Sequence, residues 1–197
     1  MNTRRTVFVL SLCLMITILL AACQPNPSGT GVLQSKIQRG NPVTSQEDQT
    51  AVVDGTNQFA TDLYQVINDR DGNLLFSPIS ISMALSMTYG GARGATAEQM
   101  ASILHLPQDR DTHAIMNWLD QELESRANGP EGKRNSGFEL SIANSIWGQI
   151  DFPFLSEYID LLAANYGAGM RVTDFVNQPE PSRLAINRWV SNETHKK

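Results

Sequence analysis

Cysteine is scarce in this 197-residue chain, which carries Cys13 and Cys23 and no other thiol. Both lie within the first 23 residues, so the rest of the chain can form neither a disulfide framework nor a cysteine metal site. Histidine is also scarce, and the three histidines form no H-E-x-x-H pattern. The sequence therefore predicts no metal and no cofactor.

An excess of positive charge is missing as well. The chain has 15 Lys and Arg against 20 Asp and Glu, a net charge of −5. Nucleic-acid binding needs a basic face, so we expect no nucleic-acid partner. The sequence has no G-x-S-x-G elbow and no P-loop, which predicts that it is not an enzyme. Its composition, 41% hydrophobic and 18% charged, is typical of one globular domain.

Long apolar runs are limited to residues 7–20, directly after Arg4 and Arg5. A positive start, a short apolar core and closing small residues predict a secretory signal peptide over residues 1–23. The alternative, a transmembrane helix, needs about 20 apolar residues. The Leu-Ala-Ala-Cys at 20–23 resembles the lipobox of bacterial lipoproteins, although an ordinary signal peptide can also end in cysteine. This resemblance implies lipidation of Cys23, membrane attachment through that lipid, and an exported protein that is anchored to the cell envelope or extracellular.

Residues 24–50 are rich in Pro, Gly, Ser, Asn and Gln and have no sustained apolar period. This composition predicts a flexible tether between the lipid and a folded domain. Order is expected to begin near Ala51, which makes residues 51–197 the domain.

Apolar spacing within that domain predicts a mixed α/β fold. Ser77 is a suitable N-cap, and Pro78 suits the first helical position because its missing N–H has no partner there. The uncharged stretch 79–89 predicts a helix buried on most sides, ended by Gly90 and Gly91 because glycine tolerates the left-handed conformation past a helix end. A capping box at 96–99 predicts the start of the next helix. Helices are predicted over about 52–67, 79–89, 96–104, 112–125, 154–166 and 181–194, and strands over 73–76, 138–147 and 170–175.

Three stretches together carry a family resemblance. Residues 73–81, NLLFSPISI, continue through GGARGAT at 90–96, and residues 140–147 read LSIANSIW. Residues 185–190 read AINRWV, with Thr194 four positions on. These stretches resemble, in order and spacing, the strand-to-helix segment, the "L-x-x-A-N-S-L-[FW]" strand and the "I-N-x-W-V-x-x-x-T" helix of the serpins. The chain is similar to that family from about Ala51 onward.

The resemblance implies the N-terminal helical part of the serpin fold with two strands of its central sheet, an incomplete fold. It also implies descent from serine-type endopeptidase inhibitors. In these inhibitors a protease cuts an exposed reactive loop and is trapped as the loop inserts into the sheet. That loop lies well beyond Lys197 in the family. We therefore expect a fragment truncated before its reactive loop and inactive alone. The implied partners are a serine protease for a full-length relative and a missing C-terminal half.

Four polar residues match family positions. Ser77, Ser80 and Asn187 match the shutter, a polar cluster under the sheet where strands part, and Asn144 matches a position in the nearby strand. Each also has a plain structural interpretation: Ser77 as an N-cap, Ser80 as a packing residue, Asn187 as a surface residue. Neither interpretation makes them catalytic.

Two other hypotheses stay open at this stage. The first is a non-inhibitory envelope lipoprotein whose tethered domain binds a ligand or partner. The second is an incomplete gene, interrupted after Lys197.

Overall fold

The computed structural model describes residues 29–69, 72–108, 110–127, 140 and 142–195. The predicted signal peptide and Cys23 lie outside the described residues. The described residues form six helices and three strands, which confirms the mixed α/β fold class. In chain order they are β1 (Gly31–Leu33), α1 (Gln46–Ile67), α2 (Pro78–Tyr89), α3 (Ala95–Ile103), α4 (Thr112–Ala127), β2 (Trp147–Gln149), α5 (Ser156–Tyr166), β3 (Met170–Thr173) and α6 (Pro179–Glu193).

The strands form one sheet in the order β1-β3-β2. β1 runs antiparallel to β3, with Gly31 opposite Val172. β2 runs parallel to β3, with Gln149 opposite Thr173. β3 is therefore paired on both sides, and its side chains Met170 and Val172 are buried. The predicted strand 170–175 ends earlier, and of the predicted strand 138–147 the described part pairs with β3 only from Trp147 onward.

The prediction of a flexible tether up to residue 50 is wrong from residue 29 onward. β1 pairs with β3, and α1 begins at Gln46 behind a capping box between Ser45 and Asp48. The hydrogen bonds from Ser45 and from Arg110 lower the pKa of the Asp48 carboxyl to about 2. A three-residue strand has too few side chains to show a period, and its pairing partner lies well over a hundred positions away in sequence.

α2 begins as predicted: the Ser77 side chain accepts a hydrogen bond from the Ser80 amide, and Pro78 occupies the first turn. Most of its side chains are buried or half-buried, as predicted. Of residues 79–89 only Leu85, which is 37% exposed, and Thr88 are exposed.

Gly90 ends α2 for a different reason from the one predicted. Its φ of −55° is right-handed, so no left-handed conformation is needed. A Cβ built on Gly90 would lie 2.9 Å from Leu161 Cδ2 in α5, so a side chain there would require the Leu161 side chain to shift.

Two other local predictions are wrong. α3 begins at Ala95, one residue before Thr96, and no side chain caps it; Gly94 precedes it with φ +57°. Residues 73–76 form no strand, and Leu75 is 97% exposed. No strand among the described residues pairs with this segment, so its apolar side chains stay on the surface.

The core consists of three clusters. The first joins α1, α2 and α4; the second joins α2 and α5 to β3; the third joins α1 to α3 and the loop that follows it. Their buried members are Val52, Met83, Ile115, Met116 and Leu119; Met87, Ile159, Leu162, Met170 and Val172; and Phe59, Ala101, Leu104 and Leu106. The helix predicted over 112–125 is confirmed as α4, and its residues Ile115, Met116 and Leu119 lie in the first cluster. Within the described ranges, no helix has both the length and the apolar character needed to cross a membrane.

Candidate functional site at the sheet

Helix α6 is attached to β3 by a buried pair of hydroxyls. Ser182 Oγ donates to the Gln178 carbonyl at 2.8 Å, and Thr173 Oγ1 lies 2.8 Å from the same Ser182 oxygen. Since the serine proton is already used, Thr173 is the donor in the second bond. The pair fixes the start of α6 against the end of β3. Its sequence signal is weak, because serine and threonine are common at helix starts and in strands.

Arg171 lies on the same side of the molecule between two tryptophans. Its guanidinium carbon is 5.5 Å from the ring centre of Trp147 in β2 and 5.4 Å from that of Trp189 in α6. Such cation–π contacts contribute about 0.5–1 kcal/mol each where exposed and more where water is excluded. The stack joins β2, β3 and α6, and both tryptophans belong to the motifs that carried the family resemblance.

Two buried hydroxyls in α2 have no hydrogen-bond partner among the described residues. Ser82 and Ser86 lie four residues apart on the face that packs with Met83 and Met87. A buried unpaired polar group costs about 1–3 kcal/mol, so two of them make this helix–core contact less stable than an apolar one. Sequence reasoning singled out Ser77 and Ser80 and missed this pair, although serine spaced i, i+4 in an uncharged helix was a usable signal.

The four predicted site residues are not joined in one hydrogen-bonded cluster. Ser77 Oγ lies 2.9 Å from Ser80 Oγ at the start of α2, as a local cap. Asn144 is half-buried beside a small cavity of about 80 Å³, which it shares with Arg39. Asn187 is exposed on α6, as the surface interpretation expected. Within the described residues, no hydrogen bond connects either asparagine to the serines, and a shutter role for these residues stays a prediction.

A network of half-buried ring side chains on α4 and α5 lies beside the core cluster that joins α2 and α5 to β3. The His113 Nδ1 atom lies 2.8 Å from the Tyr166 hydroxyl, and the Tyr158 hydroxyl donates to the Met87 carbonyl at 2.9 Å. Burial raises the pKa of both tyrosines, with the Tyr158 hydroxyl adding to the rise at Tyr166. Burial lowers the pKa of His113, and the Asp111 carboxylate partly opposes it. The network is therefore neutral at pH 7.

We expect this histidine to make the protein less stable in acid. Because the folded-state pKa of His113 lies below its unfolded value of about 6.5, the unfolded chain binds the proton more readily. Its contribution to the free energy of unfolding is complete above pH 6.5 and decreases as the pH falls below it. NMR titration of the His113 ring should give a pKa below 6.5, and Asp111→Asn should lower it further. A ring that titrates at or above 6.5 would contradict the burial argument.

The segment 34–45, between β1 and α1, is held against α4 by Arg39 and against α5 by Gly40. The Arg39 Nε atom donates to the Asn117 side-chain oxygen at 2.8 Å, and Nη2 lies 2.5 Å from an Asp120 carboxylate oxygen. The Asn117 amide in turn donates to the Gly40 carbonyl at 3.0 Å, while the Gly40 amide donates to Ala164 at 3.0 Å. Asn117 is buried, so these bonds replace water completely at its side chain.

Asn117→Ala should lower the free energy of unfolding by about 1–3 kcal/mol, because it leaves buried partners unsatisfied. Urea denaturation measures the difference. Arg126→Ala is the matched control, since the exposed Arg126–Glu122 pair should contribute only about 0.3–0.5 kcal/mol. Equal effects of the two substitutions would mean that the segment is not held in this way.

The outer edge of β2 is open: among the described residues β2 pairs with β3 alone. The backbone groups on that edge can pair with a further strand. Within the same ranges, no three His, Cys, Asp or Glu side chains are grouped so as to hold a metal ion. The open edge of β2 can therefore pair with a further strand, on a sheet that α5 and α6 pack against.

Comparisons with known proteins agree with this architecture. The family model described as Serpin (serine protease inhibitor) matches residues 54–197, which include all three motifs. A leukocyte elastase inhibitor of Xenopus tropicalis is 38% identical over 138 residues, 69% of this chain and 35% of that protein. An uncharacterized serpin-like protein of Thermococcus kodakarensis is 36% identical over 154 residues, 78% of this chain and 34% of that protein.

The fold agrees as well. The native-state crystal structure of tengpin, a thermophilic serpin, has a TM-score of 0.65 at 24% identity and covers 85% of this chain and 40% of that one. The chain thus spans about a third of the length of the curated relatives it matches. Because the family model matches more than half of its residues and the fold agrees with that of a solved serpin structure, this chain belongs to the serpin family.

Proposed function

We propose that this chain is the N-terminal scaffold of an inhibitor that traps a serine-type endopeptidase by loop insertion. The observation that carries the proposal is the family match over residues 54–197, together with relatives that are named as elastase inhibitors. The non-inhibitory, ligand-binding alternative receives no support from the described residues.

Three features of the sheet region are consistent with that proposal. β3 is paired on both sides, α6 is fixed across the sheet by Arg171 and Ser182, and β2 leaves an edge for a further strand. Loop insertion is a strand-addition reaction, which depends on main-chain hydrogen bonds at such edges. The chain contributes no scissile bond in this proposal. In this proposal that bond belongs to a reactive loop in the C-terminal half of the inhibitor.

We also propose that the protein is exported and attached to the membrane through acyl chains on Cys23. The support is the sequence of residues 4–23, with two arginines, an apolar run and the lipobox-like Leu-Ala-Ala-Cys. The inhibitor would then act at the cell envelope on proteases outside the cytoplasm.

The inhibitory proposal makes a paired prediction. Residues 24–197 alone should form no detergent-stable complex with a panel of serine proteases, because in the family the reactive loop lies beyond the matched residues. A fusion in which these residues replace the matched region of the Xenopus tropicalis elastase inhibitor should form such a complex with elastase. Denaturing gel electrophoresis measures both results as a shift in protease mass.

The unmodified Xenopus tropicalis inhibitor is the positive control, and a fusion denatured before mixing is the negative one. A complex formed by residues 24–197 alone would contradict the assignment of the reactive loop to other residues. A folded fusion that elastase merely cleaves, while the unmodified relative traps it, would contradict the scaffold role.

A further inference from the structure

A group of exposed apolar side chains lies in the loops that follow β2 and β3. Phe152 is 57% exposed, Leu155 66% and Val176 74%, and Phe175 is exposed beside them in sequence. Because β2 and β3 are parallel, both loops leave the sheet at the same end. We call these four residues the loop-end surface.

The two loops are tied together by hydrogen bonds. The Gln149 side chain donates to Asp174 at 3.1 Å and accepts from the Val176 amide at 3.3 Å. The Ile150 amide also donates to the Thr173 carbonyl at 3.0 Å. The backbone is thus fixed while the apolar side chains at its turns remain in water.

The N-terminal end of the described chain lies at this same end of the sheet. β1 runs antiparallel to β3, so the chain enters the sheet where β3 leaves it. A Cβ built on Gly29 would lie 3.8 Å from Ile150 Cδ1 and 3.9 Å from Asp174 Cβ. Gly29 is therefore in contact with both loops.

Chain length then limits the distance to any lipid on Cys23. Cys23 and Gly29 are six positions apart in the sequence, and an extended chain spans at most about 3.3–3.6 Å per residue, roughly 20 Å in all. A bilayer that holds the acyl chains of Cys23 must lie within that reach of Gly29. Other strongly exposed apolar side chains lie elsewhere, namely Val43 before α1, Val66 and Leu75 at the junction of α1 and α2, and Ile103 at the end of α3, and none of them is within 4 Å of a Cβ built on Gly29.

We propose that the loop-end surface rests on the lipid bilayer, with Phe152, Leu155, Phe175 and Val176 in contact with its interfacial region. The inference depends on the proposed lipidation of Cys23 and adds the orientation of the anchored domain. Aromatic and aliphatic side chains partition favourably into the membrane interface. Attraction to anionic headgroups is not the basis of the contact, because the neighbouring charges Asp151, Asp174 and Glu157 are negative.

Fluorescence from single labelled cysteines tests the orientation. In the lipidated chain Cys13 has been removed and Cys23 is acylated, so Phe152→Cys, Val176→Cys or Leu75→Cys each introduces one free thiol. Each purified lipidated variant is labelled with an environment-sensitive dye and reconstituted in phosphatidylcholine vesicles that contain a lipid-bound quencher. Quenching at positions 152 and 176 should be several-fold stronger than at the control position 75. It should not increase when part of the lipid is replaced by an anionic one.

The outcomes distinguish failure of the loop-end surface proposal from failure of the lipid-anchor proposal. Fatty-acid label on the protein with equal quenching at all three positions overturns the loop-end surface and leaves the lipid anchor intact. Absence of fatty-acid label overturns the proposed lipid anchor on Cys23, and the proposed orientation of the domain is then overturned as well. Quenching that rises with anionic lipid at all three positions overturns the apolar contact. Strong quenching at 152 and 176 alone, with label present, supports the proposal.

Discussion

Cys23→Ala is expected to abolish the attachment of lipid to this protein completely. The proposed acceptor is the Cys23 sulfur, and none of residues 24–197 is a cysteine. An acyl chain contributes about 0.8 kcal/mol per buried CH₂, so stable anchoring needs more than one chain, and the loss of the acceptor removes them together. Metabolic labelling with a fatty-acid analogue, followed by fractionation, should show label in the wild-type membrane fraction and an unlabelled, soluble Cys23→Ala variant.

Cys13→Ala is the matched control for this experiment. Cys13 lies in the apolar core of the predicted signal peptide, which alanine also suits, so labelling should equal that of the wild type. Equal label in the wild type and in Cys23→Ala would refute the lipoprotein proposal. It would leave the family assignment unaffected, because the family match begins at residue 54.

Leu162→Ala is expected to lower the free energy of unfolding by about 2–5 kcal/mol, the range for truncating a buried leucine. Leu162 has 0% of its surface exposed and belongs to the core cluster that joins α2 and α5 to β3. Truncation removes apolar contacts and leaves a cavity that the rigid β3 pairing cannot collapse to fill. Since domains are stable by only about 5–15 kcal/mol, this single change removes a large part of the total.

Urea unfolding followed by the fluorescence of the three tryptophans measures the effect. Leu184→Ala is the control: Leu184 is 47% exposed on α6, and its truncation should change stability by no more than about 0.5 kcal/mol. Equal midpoints for the two variants would mean that the contact between α5 and the sheet is not part of the stable core.

Much of the helical structure could be predicted from the sequence. Ser77 and Pro78 define the start of α2 through hydrogen bonds and a fixed φ that depend on the next few residues alone. The apolar face of α4, with Ile115 and Leu119, follows from a period that is visible within one helix. The three motifs likewise identified the family before any fold was known.

The errors concern features that depend on distant residues. Leu74 and Leu75 looked like a buried strand, but a strand needs a partner, and none among the described residues pairs with them. Residues 31–33 looked like part of a tether, although they pair with β3.

The sequence by itself thus determined the family, through its three motifs, and most of the helices together with the cap of α2, since helix periods and caps depend on residues a few positions apart. The tertiary structure alone decided which segments pair as strands and which apolar side chains remain in water. It also decided that Arg171 lies between two tryptophans and that Gly29 lies beside the loops after β2 and β3. Those features join residues far apart in sequence, and local spacing carries no information about which distant segments meet.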